Sequence, residues 1–287
     1  MKLYNKRNNG LIKIITGIRR CGKSYLLRTI FKNYLLSQGV DEDHIVEMSF
    51  DYFENEKFLE PSIFYAWAKD KIKDQDQYYF LLDEIQLMDR FESVLNGLND
   101  LENIDIFVTG SNARFLSKDI VSEFAGRGDE IRMYPLCFSE FMSAYAGDRY
   151  QGLNAYMTYG GIPIVVLADD QDKAKILHTL LDETYIRDIV KRKKVRNVRE
   201  IEDLLNILSS SVGSLTNPEK LKNTFRTVKK SKITANTIGK HLSYFEDAFL
   251  VEAAQRFDVK GKAWFGCRKP ILENHFKNQA DTFSGVL

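Results

Sequence analysis

Cysteine and histidine are scarce in this chain of 287 residues, which contains three cysteines and four histidines. The cysteines, Cys21, Cys137 and Cys267, are far apart and odd in number. This pattern is typical of a protein from a reducing cytosol and argues against a disulfide framework or a zinc site. The histidines are also dispersed, without the spacing of metal ligands.

Long hydrophobic runs are absent too. No apolar run reaches the ~20 residues needed to cross a bilayer, and the start "MKLYNKRNNG" lacks the apolar segment of a signal peptide. The net charge is only +1, so attraction to nucleic acid requires a local basic patch. With 44% apolar and 28% charged residues, the composition is that of a soluble globular protein. We predict a cytoplasmic protein without a membrane partner.

The first half of the chain alternates short apolar runs with helical patterns. The runs are "IKIITG", "HIVEMSFD", "YYFLLDE", "IDIFVTGS" and "EIRMYPL". Such alternation predicts an α/β domain, in which helices cover both faces of a parallel sheet. Ligands of such sheets bind beyond the carboxyl ends of the strands. We assign residues 1–136 to this domain.

The second half of the chain is predicted to be mainly helical. Residues 137–199 read as helices with breaks at glycines and a proline, and we interpret them as a lid or linker region. Residues 200–262 read as three helices followed by a hairpin, which is the order of a winged helix-turn-helix. Residues 263–287 form an atypical tail.

The spacing Gly17-x-x-x-x-Gly22-Lys23-Ser24 matches a phosphate-binding P-loop, and it follows an apolar strand and opens an amphipathic helix. Glycines let the backbone amides turn toward phosphate, and the helix start adds its positive end. We expect Lys23 to reach the β- and γ-phosphates of ATP and Ser24 to bind Mg²⁺. The alternative is a glycine turn that happens to precede a helix. The predicted nucleotide contacts are Gly17, Ile18, Arg19, Arg20, Cys21, Gly22, Lys23, Ser24 and Tyr25.

Three residues of this loop carry further alternatives. Arg19 and Arg20 cannot both face phosphate, so one of them can instead hold the loop through an acid. Cys21 is either a loop filler or a thiolate whose pKa is lowered by the helix end and by Lys23.

The stretch "YYFLLDEIQ" ends an apolar strand in two adjacent acids. Buried carboxylates are costly unless they are compensated, so we assign Asp83 to Mg²⁺ and Glu84 to the activation of water. The alternative is an ordinary strand end whose acids cap the following helix. Gln86 either helps to orient the water or, as we favour here, lies on a helix surface.

Two further residues are candidates for sensing or stabilising the γ-phosphate. In "IDIFVTGSNARFL" we choose Asn112 as the sensor, with Ser111 in reserve, although either can simply cap a helix. Arg127 lies between two glycines, and a guanidinium there can stabilise transition-state charge in its own or a neighbouring subunit. It can equally pair with Asp129 or Glu123.

Together these motifs resemble those of an AAA+-like ATPase family of bacteria and archaea. That family has a "GIRRxGKS" P-loop, an "LDEIQ" acidic strand and a "TGSN" sensor strand, followed by "GR…PLxFxEF" and "YxxYGGxP". The matching stretches here are Ile15–Ser24, Leu82–Gln86, Thr109–Asn112, Gly126–Arg127 with Pro135–Phe141, and Tyr156–Pro163. The resemblance covers most of residues 12–262. It implies an AAA+-type strand order, ATP with Mg²⁺, and a winged helix near the end.

The chain departs from that family at both ends. Members often have a helix before the first strand and continue beyond the winged helix into a domain that resembles nuclease folds. Here only a short polar lead precedes Leu11, and "KAWFGCRKPILENHFKNQADTFSGVL" does not match that continuation. We therefore expect a truncated or frameshifted C-terminal end, and we assign no nuclease role to this chain.

A basic run, "YIRDIVKRKKVRNVR", brings seven cations into residues 187–199, and "TVKKSK" adds three lysines. Such a patch can bind the phosphates of double-stranded DNA, but nearby acids also permit a solvated helix face, and winged helices bind proteins as well. In the third helix of the winged unit, Asn236, Thr237, Lys240 and His241 are the candidate outward residues.

We therefore predict a Mg²⁺-dependent ATPase that uses ATP turnover as a conformational switch, possesses a DNA or protein client, and can form a homo-oligomer. One alternative is an ATP-gated DNA- or protein-binding regulator with little turnover. Another is an inactive fragment of a longer gene product.

Overall fold

The computed structural model describes residues 3–110, 124, 126–211, 214, 216–256 and 264–270. The chain divides into two compact units, Met1–Tyr134 and Pro135–Leu287. Among the described residues, no helix has the length and apolar character required to cross a membrane.

The first unit is built on a five-stranded sheet in the order β2-β3-β4-β1-β5. Every pairing in this sheet is parallel. Strands β1 to β4 lie within the apolar runs identified in the sequence, whereas β5 begins two residues before the run "EIRMYPL". The strands are β1 (Ile12–Thr16), β2 (Ile45–Ser49), β3 (Tyr78–Asp83), β4 (Ile104–Thr109) and β5 (Gly128–Arg132).

Helices follow the strands, as the alternating pattern predicts. The P-loop helix starts as α1 (Lys23–Tyr25), continues as a π-helical segment (Leu26–Phe31) and ends as α2 (Lys32–Ser37). It is followed by α3 (Pro61–Lys71) and α4 (Phe91–Asn99). Short 3₁₀ turns occupy Tyr4–Lys6, Glu42–His44, Phe53–Leu59 and Ile85–Leu87.

The core of the first unit lies on both faces of the sheet, because successive strand residues point to opposite sides. On one face, Phe80 belongs to the same buried cluster as Phe64 of α3 and Leu95 of α4. On the other face, Leu81 shares a cluster with Phe31 of the P-loop helix. Each large apolar side chain buried in this way contributes about 1.5–3 kcal/mol, so the P-loop helix is held firmly against the sheet.

One ion pair lies inside this core. The side chains of Lys13 on β1 and Asp105 on β4 are 0% and 3% exposed, and the Lys13 ammonium donates to the Asp105 carboxylate. Asp105 also accepts the backbone N–H of Asn8 at 2.9 Å. Burial lowers the pKa of Lys13 and raises the pKa of Asp105, because each charged form loses water. The pair therefore joins two neighbouring strands and the segment that precedes β1.

The second unit begins with helices and ends in a pair of strands. Its helices are α5 (Phe138–Ala144), α6 (Arg149–Tyr159), α7 (Pro163–Val166), α8 (Asp170–Thr179), a π-helical segment (Leu180–Ile186), α9 (Arg187–Lys193), α10 (Val198–Ser210), α11 (Pro218–Val228) and α12 (Ala235–Asp247). The antiparallel strands are β6 (Val251–Arg256) and β7 (Trp264–Pro270).

Helices α10, α11 and α12 are amphipathic, and each buries apolar side chains. Examples are Leu205 of α10, Phe225 of α11 and Phe245 of α12, which are at most 2% exposed. Side-chain caps start two of these helices, since Asn217 accepts from the Lys220 amide and Thr234 from the Thr237 amide. The order of three helices and two strands is the predicted one. However, β7 lies beyond residue 262, so the predicted boundary with the tail separates paired strands.

We expect Asp105→Ala to lower the free energy of unfolding by about 3–5 kcal/mol, because it leaves the buried Lys13 ammonium without its carboxylate. Urea unfolding followed by circular dichroism measures this change. Asp70→Ala is the control: Asp70 pairs with Lys73 at the surface, and such a pair contributes at most about 1 kcal/mol. Equal losses in the two variants would contradict the assigned importance of the buried pair.

Candidate functional site

The P-loop connects β1 to α1 and uses three residues with left-handed backbone conformations. These are Gly17 (φ 147°), Arg20 (φ 65°) and Gly22 (φ 97°). A Cβ atom on Gly17 would lie 2.2 Å from the backbone oxygen of Met133. Glycine at position 17 is therefore required both by conformation and by the close approach of the chain after β5.

Lys23 is the first residue of α1, and its side chain folds back over the loop. Its ammonium donates to the backbone oxygens of Gly17 and Ile18, both at 3.0 Å. The residue is only 4% exposed. The cation is therefore held inside the P-loop, where the sequence motif predicts the phosphates of a nucleotide.

Ser24 and Asp83 meet at the carboxyl edge of the sheet. Ser24 Oγ donates to Asp83 Oδ1 at 3.0 Å, which joins the P-loop helix to the end of β3. Magnesium binds oxygen ligands in an octahedron at about 2.0–2.1 Å, so neighbouring ligands lie about 3 Å apart. A hydroxyl and a carboxylate at this separation, next to the P-loop, fit a magnesium site.

Two hydroxyls that the sequence analysis did not assign also bind Asp83. Thr109 Oγ1 at the end of β4 donates to Asp83 Oδ1, and Ser49 Oγ at the end of β2 lies 3.3 Å from Asp83 Oδ2. Ser49 also contacts the Asp51 carboxylate at 2.9 Å. The available signal was positional, because both hydroxyl residues end strands that flank β3.

Glu84 follows Asp83 and has a left-handed backbone, with φ 54°. Its amide N–H donates to Thr109 Oγ1 at 3.0 Å, and its carboxylate accepts from the side-chain amide of Gln86. Gln86 is 6% exposed, so the prediction that it lies on a helix surface is wrong. Gln86 belongs to the 3₁₀ turn Ile85–Leu87, and its side chain points back toward Glu84.

The remaining loop residues divide into exposed and buried ones. Arg19, Arg20 and Tyr25 are exposed, whereas Ile18 and Cys21 are each 1% exposed. Burial raises the pKa of the Cys21 thiol and outweighs the attraction of the Lys23 charge. The prediction of a reactive thiolate is therefore wrong, and Cys21 is a packed loop residue.

The structure does not bring Arg127 to the P-loop of its own chain. Its backbone oxygen accepts from Ile12 at 2.7 Å, and β5 starts at the next residue. Arg127 therefore lies at the edge where parallel strands begin, one strand length from the P-loop, and its guanidinium pairs with Asp100 at 2.7 Å. A direct role in its own subunit is thus excluded by topology. Ser111 and Asn112 lie outside the described residues.

The basic run of the second unit is partly neutralised. Arg192 pairs with Asp188, and Lys193 pairs with Asp247 at 2.7 Å. Lys229, outside the run, pairs with Asp203 at 2.7 Å. The cations of the run that remain exposed are Arg187, Lys191, Lys194, Arg196 and Arg199.

Helix α12 presents a narrower polar face than predicted. Asn236 and Lys240 are exposed, and Thr237 is half-buried with its hydroxyl against Thr234. His241 is only 6% exposed, and burial lowers the pKa of its imidazole. The prediction that His241 points outward is therefore wrong, because this position lies on the same side as the packed residues Ile238 and Leu242.

Two family models match successive parts of the chain. Residues 9–142 match the AAA domain family, and residues 150–279 match a domain of unknown function, DUF8612. The first match covers the strands and the P-loop of the first unit. The fold of the first unit is thus that of a P-loop AAA domain.

Two relatives are similar to this chain over most of its length. An uncharacterized protein of Haemophilus influenzae is 35% identical over 97% of this chain and 71% of its own length. The chain belongs to the same family as this protein, a family with an AAA domain. An uncharacterized protein of Methanocaldococcus jannaschii is 31% identical over 88% of this chain and 58% of its own length. The chain thus spans little more than half of that archaeal relative.

Solved structures overlap with the chain only loosely. Cdc6p from Pyrobaculum aerophilum has a TM-score of 0.39 and 12% identity, covering 98% of this chain and 91% of that protein. A DNA polymerase III gamma subunit-related protein from Thermotoga maritima has a TM-score of 0.40 and 12% identity, covering 86% of this chain and 97% of that protein. Overlaps of this size carry no information about activity.

Because Cys21 is buried and Cys137 is exposed, we expect a brief iodoacetamide pulse at neutral pH to alkylate Cys137 and to spare Cys21. Peptide mass spectrometry measures both labels, and the same pulse in urea serves as the control in which Cys21 reacts. Rapid labelling of Cys21 in the folded protein would restore the reactive-thiolate interpretation.

Proposed function

We propose that the first unit binds ATP with Mg²⁺ and hydrolyses it, and that turnover serves as a conformational switch. The observation that carries this proposal is the contact of Ser24 with Asp83 at 3.0 Å, beside the P-loop lysine. It unites residues 59 positions apart at the edge of the sheet where ligands bind.

The P-loop supplies the groups that polyphosphate requires. Its backbone amides and the start of α1 attract anions. Lys23 adds a compact positive charge that now rests on two carbonyl oxygens. Phosphate oxygens are stronger hydrogen-bond acceptors than carbonyl oxygens because they are charged. We therefore expect the Lys23 ammonium to exchange its carbonyl partners for phosphate oxygens when a triphosphate binds.

Ser24 and Asp83 are the residues that would hold Mg²⁺. When bound, the ion would neutralise charge on the β- and γ-phosphate oxygens. The three hydroxyls around Asp83 fix the direction of its carboxylate oxygens. This preorganisation favours a metal that demands near-ideal octahedral geometry.

Glu84 is the proposed general base that takes a proton from the attacking water. Asn112 keeps its proposed role as the sensor of the γ-phosphate. Since Arg127 lies at the far edge of the sheet, a role in hydrolysis requires a homo-oligomer in which it reaches a neighbour's site. The Glu84→Gln variant should retain ATP, so it is the form in which such an assembly should be detected. The absence of an ATP-dependent increase in its molecular size would count against the homo-oligomer.

We expect Lys23→Ala to abolish ATP binding, because it removes the buried ammonium that lies against the carbonyl oxygens of the loop. Glu84→Gln should bind ATP with unchanged affinity and hydrolyse it at least ~100-fold more slowly, as expected for the loss of a general base. Equilibrium binding of a fluorescent ATP analogue and phosphate release measure the two effects.

Lys32→Ala is a matched control, because Lys32 lies on the same helix but pairs with Glu42 and Glu47 away from the loop. It should leave both binding and turnover unchanged. Hydrolysis by Glu84→Gln at the parent rate would show that Glu84 is not the base.

A second candidate function is binding of double-stranded DNA by the second unit. Helices α10 to α12 with β6 and β7 have the order of a winged helix, and we interpret α12 as its recognition helix. Exposed Asn236 and Lys240 lie one helical turn apart on α12. The exposed cations of the basic run add charge for phosphate contacts.

Removal of Lys191 and Lys240 together should weaken DNA binding and reduce its salt dependence, since each lost phosphate contact lowers the log–log slope by about 0.9. Fluorescence anisotropy of a labelled duplex between about 50 and 200 mM salt measures the slope. Lys222→Ala is the control, because Lys222 already pairs with Glu219. An affinity that does not change with salt would eliminate DNA and leave a protein client.

A further inference from the structure

The buried position of Gln86 is unusual for a polar side chain in a short turn. It belongs to the 3₁₀ turn Ile85–Leu87 that follows β3, and it is 6% exposed. Its side-chain nitrogen donates to Glu84 Oε2. The orientation of the amide is fixed by chemistry, because a carboxylate can only accept, so the NH₂ group must face Glu84.

This orientation leaves the other end of the amide unsatisfied. Gln86 Oε1 is buried and has no hydrogen-bond partner among the residues described here. An unpaired buried acceptor costs about 1–3 kcal/mol. An apolar side chain of similar length, such as methionine, would fill the same space without that cost. Packing alone therefore does not account for glutamine at this position.

The main chain of Glu84 is restrained as well. Its left-handed backbone (φ 54°) is unfavourable for a residue with a Cβ atom. The N–H group of Glu84 is held by Thr109 Oγ1 at 3.0 Å. The backbone is thus fixed from β4, and the end of the side chain is fixed from the turn that follows.

We propose that Gln86 is a positioning residue that aims the Glu84 carboxylate at the attacking water. This inference rests on the proposed ATPase function. A Glu side chain has three rotatable bonds, and a base works only within hydrogen-bond reach of the proton it takes. A neutral amide donor restrains the carboxylate without removing its charge. Gln86 therefore acts on the rate of hydrolysis through Glu84, and not on the binding of ATP.

The test is Gln86→Met. We expect kcat for ATP hydrolysis to fall about 10- to 100-fold, the loss expected for one hydrogen bond to an ionised group. KM and the affinity for ATP should stay within about twofold, because the P-loop is untouched. The melting temperature should be equal or higher, since the unpaired acceptor is gone. A purely structural role predicts the reverse pattern, with lower stability and unchanged kcat.

A double-mutant cycle makes the dependence on Glu84 explicit. In the Glu84→Gln background, Gln86→Met should not reduce the residual rate further, because the carboxylate to be positioned is absent. Gln86→Asn is the second variant, which keeps an amide but withdraws it by one methylene, and its kcat should also fall. Gln77→Met is the matched control, since Gln77 lies before β3 and contacts only the Tyr78 backbone oxygen among the hydrogen bonds described.

Two failures are distinguishable. If the parent protein shows no hydrolysis that depends on Lys23, the ATPase function itself is wrong, and this inference is overturned with it. If the parent hydrolyses ATP and either Gln86 variant matches its kcat, the function stands and the positioning role is wrong. An equal fold-loss for Gln86→Met in the parent and in the Glu84→Gln background would also overturn it.

Discussion

The organisation of the first unit depends on one carboxylate, that of Asp83. It is 3% exposed, and hydroxyls of three different elements lie within hydrogen-bond distance of it: Ser24 of the P-loop helix, Ser49 of β2 and Thr109 of β4. A buried anion without such donors would be strongly unfavourable. The need to satisfy it therefore aligns the ends of neighbouring strands with the loop that follows β1. Structural stability and the geometry of the candidate site are thus two results of the same set of hydrogen bonds.

Much of this arrangement could be predicted from the sequence, because it follows from local patterns. The apolar runs give the strands, the glycine spacing gives the P-loop, and parallel strands must present their carboxyl ends at one edge. For that reason the meeting of Ser24 with Asp83 followed from motif positions alone. The same topological rule, had it been applied to Arg127, would have placed it at the opposite edge, since that residue precedes its strand instead of following it.

The remaining differences arise where burial depends on tertiary contacts. Cys21 lies in a loop, yet the chain after β5 covers it, so desolvation raises the pKa of its thiol. Gln86 and His241 are polar residues in short or amphipathic elements, where sequence periodicity assigns the faces only approximately. The basic run contains one acid, Asp188, and the partner of Lys193 lies 54 residues away, so only the folded chain shows that Arg192 and Lys193 are neutralised.

The backward fold of Lys23 affects which anions the loop can admit. Its ammonium already has two carbonyl partners at 3.0 Å, so an incoming ion gains only the difference between the new contacts and those it replaces. A monovalent ion such as chloride offers the lysine a single contact in exchange for these two. A polyphosphate offers several charged oxygens to the lysine and to the loop amides at once. We therefore expect the loop to bind multivalent anions in preference to monovalent ones.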